Sequence, residues 1–283
     1  MNKYLLVKIK GGTANQLIQA FVGVEIAKLS NRKVIFDISD FSFGGFITKV
    51  KRNTMFSLSE IVTQLGPVTS FPIADATKVF GITQCESRAS SYTKLTDILS
   101  SKQKFLIMNG YFHQKEFTDL IDKDYLFSFI ENCMSDEIKA QHSLLIQDCY
   151  CSLHVRRGDY VTSPASLVHG ACSVEYYHEA LTVASKYVSK FITMSDDYTW
   201  VDKSITMPVK TKRSPGNDAL EDLYLMTACK VNIISNSSFS WLAGFLNRNV
   251  NSFLISPECW FKNAPFTSVL NDGREIVIKN HLV

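Results

Sequence analysis

The stretch Cys151-Ser152-Leu153-His154-Val155-Arg156-Arg157-Gly158-Asp159-Tyr160 decides how the rest of the chain is interpreted. Residues 150–155 alternate and are rich in β-branched and aromatic side chains, which predicts a strand that Gly158 then ends. In open α/β sheets, ligands bind beyond the carboxyl ends of the strands. Arg156 and Arg157 would form a fork there for a di-anion such as a pyrophosphate. The alternative is a surface Arg-Asp pair that only closes a turn.

The composition describes a folded globular protein that is large enough for two domains. The chain has 283 residues, of which 46% are hydrophobic, and this supplies enough apolar surface for two cores. Its net charge is +3 and its pI is near 8.4. Because the sequence has no run of Lys and Arg, we expect no nucleic acid as the principal partner.

The cysteines and the first residues bear on the compartment. The seven cysteines are odd in number and include no Cys-x-x-Cys pair, which indicates free thiols in a reducing compartment. Residues 1–9 are too short and too charged for a signal peptide, and we expect no membrane span. The sequence therefore predicts a cytoplasmic protein. Basic residues at 49–52 and 210–213 would allow at most peripheral contact, at the inner face of an anionic membrane.

The N-terminal half opens with a βαβ pattern. A buried strand at residues 4–9 leads through Gly11-Gly12 into a helix from Thr13, and a second strand follows at 34–38. Thr13 and Gln16 have capping-box spacing. The glycine turn has neither the Gly-x-Gly-x-x-Gly pattern nor a Walker lysine, so it does not favour a nucleotide site. Asn15 and Gln16 either face a ligand at the tip of the first strand or only cap the helix.

Residues 40–103 are irregular in sequence and should contain loops and short helices, whereas a strand is predicted at 105–112. Helical material is predicted from 115 to 145 and includes Asp122-Lys123-Asp124. This is formally the metal-binding Asp-x-Asp of one class of sugar transferases, but the lysine and the polar setting favour a solvated bend. We place the domain boundary near Gln147, which gives an N-terminal domain of residues 1–147 and a C-terminal domain of residues 148–283.

The C-terminal half repeats the α/β alternation, and three of its strands end in polar groups. Helices are predicted at 174–187 and 218–230, and strands at 190–194, 231–235 and 253–256. The three polar groups are His154, Arg156 and Asp159 after the first strand, Asp196 and Asp197 after the second, and Ser237, Ser238 and Ser240 after the third.

Parallel strands would bring these three groups to one edge of a sheet. Arginine and a serine-lined helix N-terminus together would hold phosphates, and a carboxylate nearby could accept two N–H groups of a guanine. Taken singly, each group has a plainer explanation, because Asp196-Asp197 could be a helix cap and Asn236-Ser237-Ser238 a turn.

The residues His154-Val155-Arg156-Arg157-Gly158-Asp159 resemble the His-x-Arg-Arg-x-Asp motif of the bacterial α-1,2-fucosyltransferase family, which other fucosyltransferases share. Three further segments are similar to that family specifically, and they occur in the same order along the chain. These are Gly11-Gly12-Thr13-Ala14-Asn15-Gln16-Leu17, Ser235-Asn236-Ser237-Ser238-Phe239-Ser240-Trp241 and Pro257-Glu258-Cys259-Trp260-Phe261.

This resemblance implies an α/β, GT-B-like fold in which two Rossmann-like domains face an interdomain cleft. It implies GDP-β-L-fucose as the donor in the C-terminal domain, inversion at the anomeric carbon, and no metal or other cofactor. The acceptor would be a galactose-terminated oligosaccharide or a lipid-linked glycan that enters from the N-terminal side and is fucosylated on its 2-hydroxyl. Such an enzyme would serve surface-glycan or O-antigen synthesis.

The resemblance and the pattern together assign roles to the site residues. Arg156 and the Ser237–Ser240 helix end would stabilise charge on the departing phosphate, His154 would bond the guanine or ribose, and Asp197 would bond the guanine. Asp159 and Asp196 would complete the donor site. Arg157 would either join them or form a salt bridge within the fold. Asn15 would hold the attacking hydroxyl, and no general base is evident.

Three alternatives remain open at this point. The enzyme could form another fucosyl linkage, such as α-1,6, because the arginine motif is shared across linkages. The protein could instead be a non-catalytic sugar-nucleotide-binding module. It could also be a metal-dependent transferase that uses Asp122 and Asp124.

Overall fold

The computed structural model describes residues 2–42, 62–70, 83–87, 93–216, 218–262, 264–265 and 273–283. The chain divides into two compact units, Met1–Leu126 and Phe127–Val283. The predicted basic segment at 49–52 lies outside the described residues. Within them, no helix combines the length and the apolar character that crossing a bilayer would need.

The first unit is built on a five-stranded, all-parallel sheet in the order β3-β2-β1-β5-β4. Its strands are β1 (Tyr4–Lys8), β2 (Lys33–Asp37), β3 (Val68–Thr69), β4 (Thr83–Ser87) and β5 (Phe105–Gly110). Its helices are α1 (Thr13–Leu29), α2 (Ser39–Ser42), α3 (Leu95–Ser100) and α4 (Lys115–Thr118), and α5 (Lys123–Glu131) begins at its end.

Helix α1 packs against β1 through a broad buried surface, as its mostly apolar sequence predicts. It begins at Thr13, as predicted, but the capping of this end differs from the prediction. The N-cap residue is Gly12, which makes no side-chain cap bond, and the Gln16 amide donates to the Gly11 carbonyl at 2.8 Å. The predicted capping box between Thr13 and Gln16 is therefore wrong, because Gln16 reaches past the cap to close the glycine turn.

The division between the units falls earlier than the predicted boundary near Gln147. Helix α6 (Asp136–Gln147) lies wholly within the second unit. The Tyr224 hydroxyl donates to Glu131 at 2.9 Å, and His142 lies 3.0 Å from the Thr227 hydroxyl and stacks on the Tyr224 ring. The Glu131 contact holds the end of α5, and the His142 contacts hold α6, against residues 224–227 of the second unit. Sequence periodicity does not reveal which sheet a helix covers.

The second unit contains a six-stranded, all-parallel sheet in the order β13-β10-β9-β6-β7-β8. Its strands are β6 (Tyr150–Val155), β7 (Lys190–Ser195), β8 (Lys212–Arg213), β9 (Val231–Ile233), β10 (Phe253–Pro257) and β13 (Glu275–Ile278). A separate antiparallel pair consists of β11 (Cys259–Phe261) and β12 (Ala264–Pro265). The remaining helices are α7 (Gly158–Thr162), α8 (Val174–Ala184), α9 (Tyr198–Ser204), α10 (Ala219–Met226) and α11 (Ser238–Phe245).

Strand β6 lies in the interior of this sheet and is buried along its whole length. Central parallel strands are covered on both faces, which explains why even the polar residues Ser152 and His154 are buried in β6. The mixed α/β fold with parallel sheets and the strands predicted in this half are confirmed. The short edge strands β8 and β13 were not predicted, because an edge strand of two to four residues has little periodicity to detect.

Candidate functional site

Three loops meet at the carboxyl edge of the second sheet. Strand β6 pairs with β7 on one side and with β9 on the other. Val155, the last residue of β6, is in register with Ser195, the last residue of β7. The loops that follow these neighbouring strands are therefore adjacent, as the sequence predicted for parallel strands.

Arg156 is held by carboxylates from two of these loops. One terminal nitrogen forms an ion pair with Asp196 at 2.8 Å, and the other pairs with Asp159 one helical turn along the chain. The guanidinium also lies 5.6 Å from the centre of the Tyr160 ring. Its side chain is 22% exposed, and a guanidinium has five N–H donors. Arg156 is thus fixed in position while donors remain for a ligand.

Gly158 allows Asp196 to reach this arrangement. A β carbon at position 158 would lie 2.6 Å from a carboxylate oxygen of Asp196, so any larger residue would displace that side chain. The other oxygen of Asp196 accepts the backbone N–H of Arg157 at 2.8 Å. Gly158 therefore does more than end the strand, because its lack of a side chain lets Asp196, in the loop after β7, bind the loop after β6.

Arg157 is part of the scaffold in this structure. Its Nε donates to Asp197 at 3.3 Å, and its guanidinium lies 4.1 Å from the centre of the Trp200 ring. The side chain is only 15% exposed. This arrangement favours the salt bridge within the fold over a direct phosphate contact, as one of the two sequence interpretations held.

Asp197 is likewise engaged through both oxygens. One accepts the Trp200 backbone N–H at 3.0 Å and so caps α9, and the other receives Arg157. The geometry therefore supports the helix-cap alternative for this residue. A role in binding guanine would require one of these contacts to be shared with the base.

His154 lies at the end of β6 and is almost fully buried, with 6% of the residue exposed. Its Nδ1 is 2.9 Å from the Ser235 hydroxyl, and its ring lies 5.1 Å from that of Phe239. Burial, together with the nearby Arg156 charge, lowers the pKa of His154 to about 3. The imidazole is therefore neutral at physiological pH, and it links the first loop to the third.

The three serines are not equivalent. Ser237 is the N-cap of α11 and accepts the Phe239 backbone N–H at 3.3 Å. Ser238 is the first residue of the helix and is partly exposed. Ser240 is completely buried and donates to the Ser237 carbonyl at 3.4 Å. Ser238 lies where a ligand could reach it, whereas Ser237 is buried and Ser240 lies inside the fold.

Asn236 connects three segments at this edge, and the sequence analysis treated it only as a turn residue. Its buried amide donates to the carbonyls of Gly170 and Trp260, each at 3.1 Å. The Tyr160 hydroxyl donates to the Asn236 carbonyl at 3.3 Å, and the Tyr160 ring stacks on His169. An asparagine directly before an N-cap serine gave no signal of this role, because the groups it joins are distant in sequence.

Asp222 is a further carboxyl at this edge that sequence reasoning missed. It lies in the first turn of α10 and accepts a hydrogen bond from the Ser214 hydroxyl, just after β8. Burial raises the pKa of Asp222 to about 6, although the Ser214 hydrogen bond opposes the shift. Its position within an apolar helix pattern concealed it.

The polar residues of the glycine turn lie at the carboxyl edge of the first sheet. Gln16 closes the turn, so its amide belongs to the scaffold. Gln19, which was not singled out, accepts the Lys10 backbone N–H at 2.9 Å and donates to the Gly110 carbonyl at 3.1 Å. Asn15 differs from both, because its buried Oδ1 has no hydrogen-bond partner among the described residues.

Within the described parts of the chain, no cluster of three or more His, Cys, Asp or Glu residues is arranged to hold a metal ion. Asp122 accepts the Tyr125 backbone N–H at 2.9 Å and so begins α5. This contact agrees with the bend interpretation of Asp122-Lys123-Asp124.

The sequence comparisons agree with this geometry. Residues 77–275 match the profile of Glycosyl transferase family 11, which is more than half of the chain. The chain belongs to this glycosyltransferase family. The matched region includes all three polar groups at the carboxyl edge of the second sheet.

Two proteins from Escherichia coli are similar in sequence to this chain. An "Alpha-1,2-colitosyltransferase" is 26% identical over 93% of this chain and 94% of its own length. An "O-antigen biosynthesis glycosyltransferase WbnK" is 35% identical over 116 residues. That second match spans 39% of this chain and 38% of the relative's own length.

A solved structure confirms the fold. The crystal structure of the fucosyltransferase NodZ from Bradyrhizobium aligns with 87% of this chain and 94% of its own chain, with a TM-score of 0.50 and 13% identity. At this identity the likeness shows the fold alone. It supports the GT-B-like class that the sequence predicted.

Proposed function

We propose that this family 11 glycosyltransferase moves L-fucose from GDP-β-L-fucose to the 2-hydroxyl of a terminal β-galactoside, in the synthesis of a surface glycan such as an O-antigen. The observation that carries the proposal is the convergence of three loops around Arg156 at one sheet edge. The names of the two Escherichia coli relatives, one an α-1,2-colitosyltransferase and the other an O-antigen biosynthesis glycosyltransferase, support α-1,2 transfer and O-antigen synthesis.

Arg156 is the group assigned to the diphosphate of GDP. The carboxylates of Asp159 and Asp196 hold its guanidinium before a ligand arrives. The donor therefore meets a positioned cation, and little reorganisation is needed when negative charge develops on the leaving phosphate. The N-terminus of α11, with Ser237 as its cap, adds backbone N–H groups and the positive end of the helix dipole.

His154 acts in this proposal as a neutral hydrogen-bonding group. Its low pKa means that it adds no positive charge beside Arg156 and does not serve as a general acid at neutral pH. Asn15 is assigned to the attacking hydroxyl, because an amide can align that group without taking its proton. The transfer is a single displacement in which the galactose oxygen bonds to fucose C1 as the bond to the β-phosphate oxygen breaks, and the hydroxyl proton passes to water.

A second donor is worth testing because the relative that aligns over nearly the full length is named as a colitosyltransferase. Colitose is L-fucose without its 3-hydroxyl, so the two nucleotide sugars differ by one oxygen atom. A site that hydrogen-bonds the 3-hydroxyl would strongly prefer GDP-fucose, whereas an apolar site would accept both.

The deciding experiment supplies the purified protein with GDP-fucose or GDP-colitose and a panel of β-galactosides. The proposal predicts release of GDP that depends on the acceptor, and a product whose new linkage is to galactose O2 by NMR. A preference for GDP-colitose would show that colitose, and not fucose, is the sugar transferred. A product linked at another position would show that the proposed 2-hydroxyl is not the acceptor group. Binding of GDP without any transfer would make the protein a sugar-nucleotide-binding module.

A further inference from the structure

Polar and aromatic side chains collect where β1 and β5 end in the first sheet. These neighbouring parallel strands are followed by Lys10 and Gly11 in one case and by Tyr111 in the other. Lys10 Nζ donates to Asn109 Oδ1 at 2.7 Å and lies 5.3 Å from the centre of the Tyr111 ring. The lysine therefore ties the two strand ends together beside an aromatic ring.

Tyr111 remains 42% exposed despite these contacts. A partly exposed aromatic ring at the ligand-binding edge of a parallel sheet is a surface against which a flat ligand can pack. Its neighbours Lys10 and Asn109 contribute an ammonium and an amide group, which hydrogen-bond to hydroxyl groups. A ring with amide and ammonium neighbours suits a sugar, because a pyranose has an apolar face and a rim of hydroxyls.

Gly11 lets Tyr111 and Asn15 approach the same point of the turn. It has a φ of +80°, and a β carbon there would lie 2.9 Å from Asn15 Nδ2 and 3.2 Å from Tyr111 Cε1. The amide and the aromatic ring thus pack against the same backbone position, where a side chain would not fit.

Asn15 also lacks a satisfied acceptor at this place. Its covered Oδ1 has no hydrogen-bond partner in the described part of the chain. An unsatisfied buried acceptor is unfavourable, and a hydroxyl donor from a ligand would relieve part of that cost. Because this acceptor lies beside an exposed ring, a ligand that packs on the ring could supply the donor.

We propose that Tyr111, with Lys10, Asn15 and Asn109 around the Gly11 turn, forms a subsite for a neutral pyranose ring, and that the ring is the acceptor galactose. The inference rests on the proposed transfer for the identity of the sugar. Tyr111 packs against the apolar face of the ring, while the amides and the ammonium group bind its hydroxyls. No contact with the GDP moiety is assigned to these residues.

Phe105 provides a matched control on the same strand. It is the first residue of β5, is 38% exposed and lies 5.3 Å from Lys104 Nζ. It therefore resembles Tyr111 in exposure and in its lysine contact, but it lies at the opposite end of the strand, where its ring stacks on Tyr4. A general effect of losing an exposed ring would affect both residues equally.

The test compares Tyr111→Ala, Tyr111→Phe and Phe105→Ala by steady-state kinetics with a Galβ1,3-linked disaccharide as acceptor. Tyr111→Ala should raise the acceptor KM about tenfold, while the Kd for GDP and the hydrolysis of GDP-fucose by water remain as in the wild type. Tyr111→Phe keeps the ring and should stay within about threefold of the wild type. Phe105→Ala should leave the acceptor KM unchanged.

A binding measurement keeps this inference separable from the proposed function. Ligand-observed NMR with methyl β-D-galactopyranoside should show contact with the wild type and with Phe105→Ala, but not with Tyr111→Ala. Absence of contact with the wild type, or equal contact with all three proteins, would overturn the subsite whether or not transfer occurs. If the sugar binds at Tyr111 but no fucose is transferred, the proposed function fails and the subsite stands.

Discussion

The carboxyl edges of the two parallel sheets carry different chemistry. The edge of the second sheet gathers two guanidinium groups and three carboxylates from two loops, all in ion pairs. The edge of the first sheet has amides, Lys10 and an exposed tyrosine, and an ion pair between Lys8 and Asp40 lies at the same edge. The same type of sheet edge thus presents a cluster of ion pairs in one unit (the charged edge) and, around Asn15 and Tyr111, mainly amides and an aromatic ring in the other (the neutral edge). A charged diphosphate suits the first and a neutral sugar suits the second.

The largest effect is expected at the charged edge. Arg156→Ala should lower kcat/KM by on the order of 10²–10³-fold, because a positioned donor to a developing anion is lost. Arg156→Lys should recover little, since an ammonium cannot pair with Asp159 and Asp196 and also bind a phosphate as a planar fork does. Steady-state kinetics with GDP-fucose checks both variants. Near-complete rescue by lysine would mean that only bulk charge matters there.

The next effect is expected at the neutral edge. Asn15→Ala should depress turnover by about 10²-fold, because misplacing the attacking hydroxyl by about 1 Å is that costly. The melting temperature should change little, since the side-chain oxygen has no hydrogen-bond partner to lose among the described residues. Kinetics and thermal melts on the same sample check this. A lowered melting temperature with normal turnover per folded molecule would make Asn15 a helix-start residue only.

Substituting Arg157 tests whether this residue stabilises the fold at the charged edge or binds the ligand there. Arg157→Ala removes the Asp197 ion pair and the contact with the Trp200 ring, which together are worth about 1–2 kcal/mol. The melting temperature should therefore drop by several degrees, while Arg156→Ala should lower it less. Differential scanning calorimetry of the two variants decides the point. If the two variants melted at the same temperature and Arg157→Ala lost more GDP affinity than Arg156→Ala, Arg157 would be the diphosphate-binding residue and Arg156 the structural one.

Asp222 tests whether the charged edge lowers the stability of its unit. Its pKa in the folded protein, about 6, lies above the ordinary 3.8, so the folded state binds this proton more tightly than the unfolded chain. Its contribution to the free energy of unfolding is greatest below pH 3.8 and is lost as the pH rises through about 6. Asp222→Asn should thus raise the melting temperature at pH 8, and raise it less at pH 5. An equal rise in melting temperature at both pH values would show that the cost of burying the charged Asp222 carboxylate is not the cause.

The smallest effect is expected from removing metal ions. Activity should be unchanged in saturating EDTA, because in this proposal Arg156 and the α11 N-terminus stabilise the negative charge of the diphosphate without a metal ion. A titration of EDTA with GDP release as the readout checks this. Activity that is lost and then restored by added Mg²⁺ would transfer the role to a cation and reopen the metal-dependent alternative.

Much of the charged edge could be predicted, because its residues directly follow strands with strong apolar patterns. A continuous buried run such as β6 fixes where the strand ends, so the position of Arg156 follows from local sequence. The parallel arrangement then placed Asp196 and Ser237 nearby. What could not be predicted is which donor meets which acceptor. The pairing of Asp197 with Arg157 and the capping of α9 arise from packing.

The neutral edge was harder to predict for a physical reason. Lys10, Asn109 and Tyr111 come together only because β1 and β5 are neighbours in the sheet, and strand order is a long-range property. The same applies to α6, whose assignment to the second unit depends on His142 contacting Tyr224 in α10 and Thr227 just after it. Short strands such as β3 and β8 carried too few residues for a pattern to stand out.

The central claim is that the charged edge holds GDP and the neutral edge does not. Isothermal titration of GDP into the wild type, Arg156→Ala and Asn15→Ala tests it most directly. The account predicts that Arg156→Ala weakens GDP binding by at least about tenfold, since charge-assisted hydrogen bonds to the diphosphate are lost, while Asn15→Ala binds GDP like the wild type. Unchanged GDP affinity in Arg156→Ala, or a loss confined to Asn15→Ala, would contradict it.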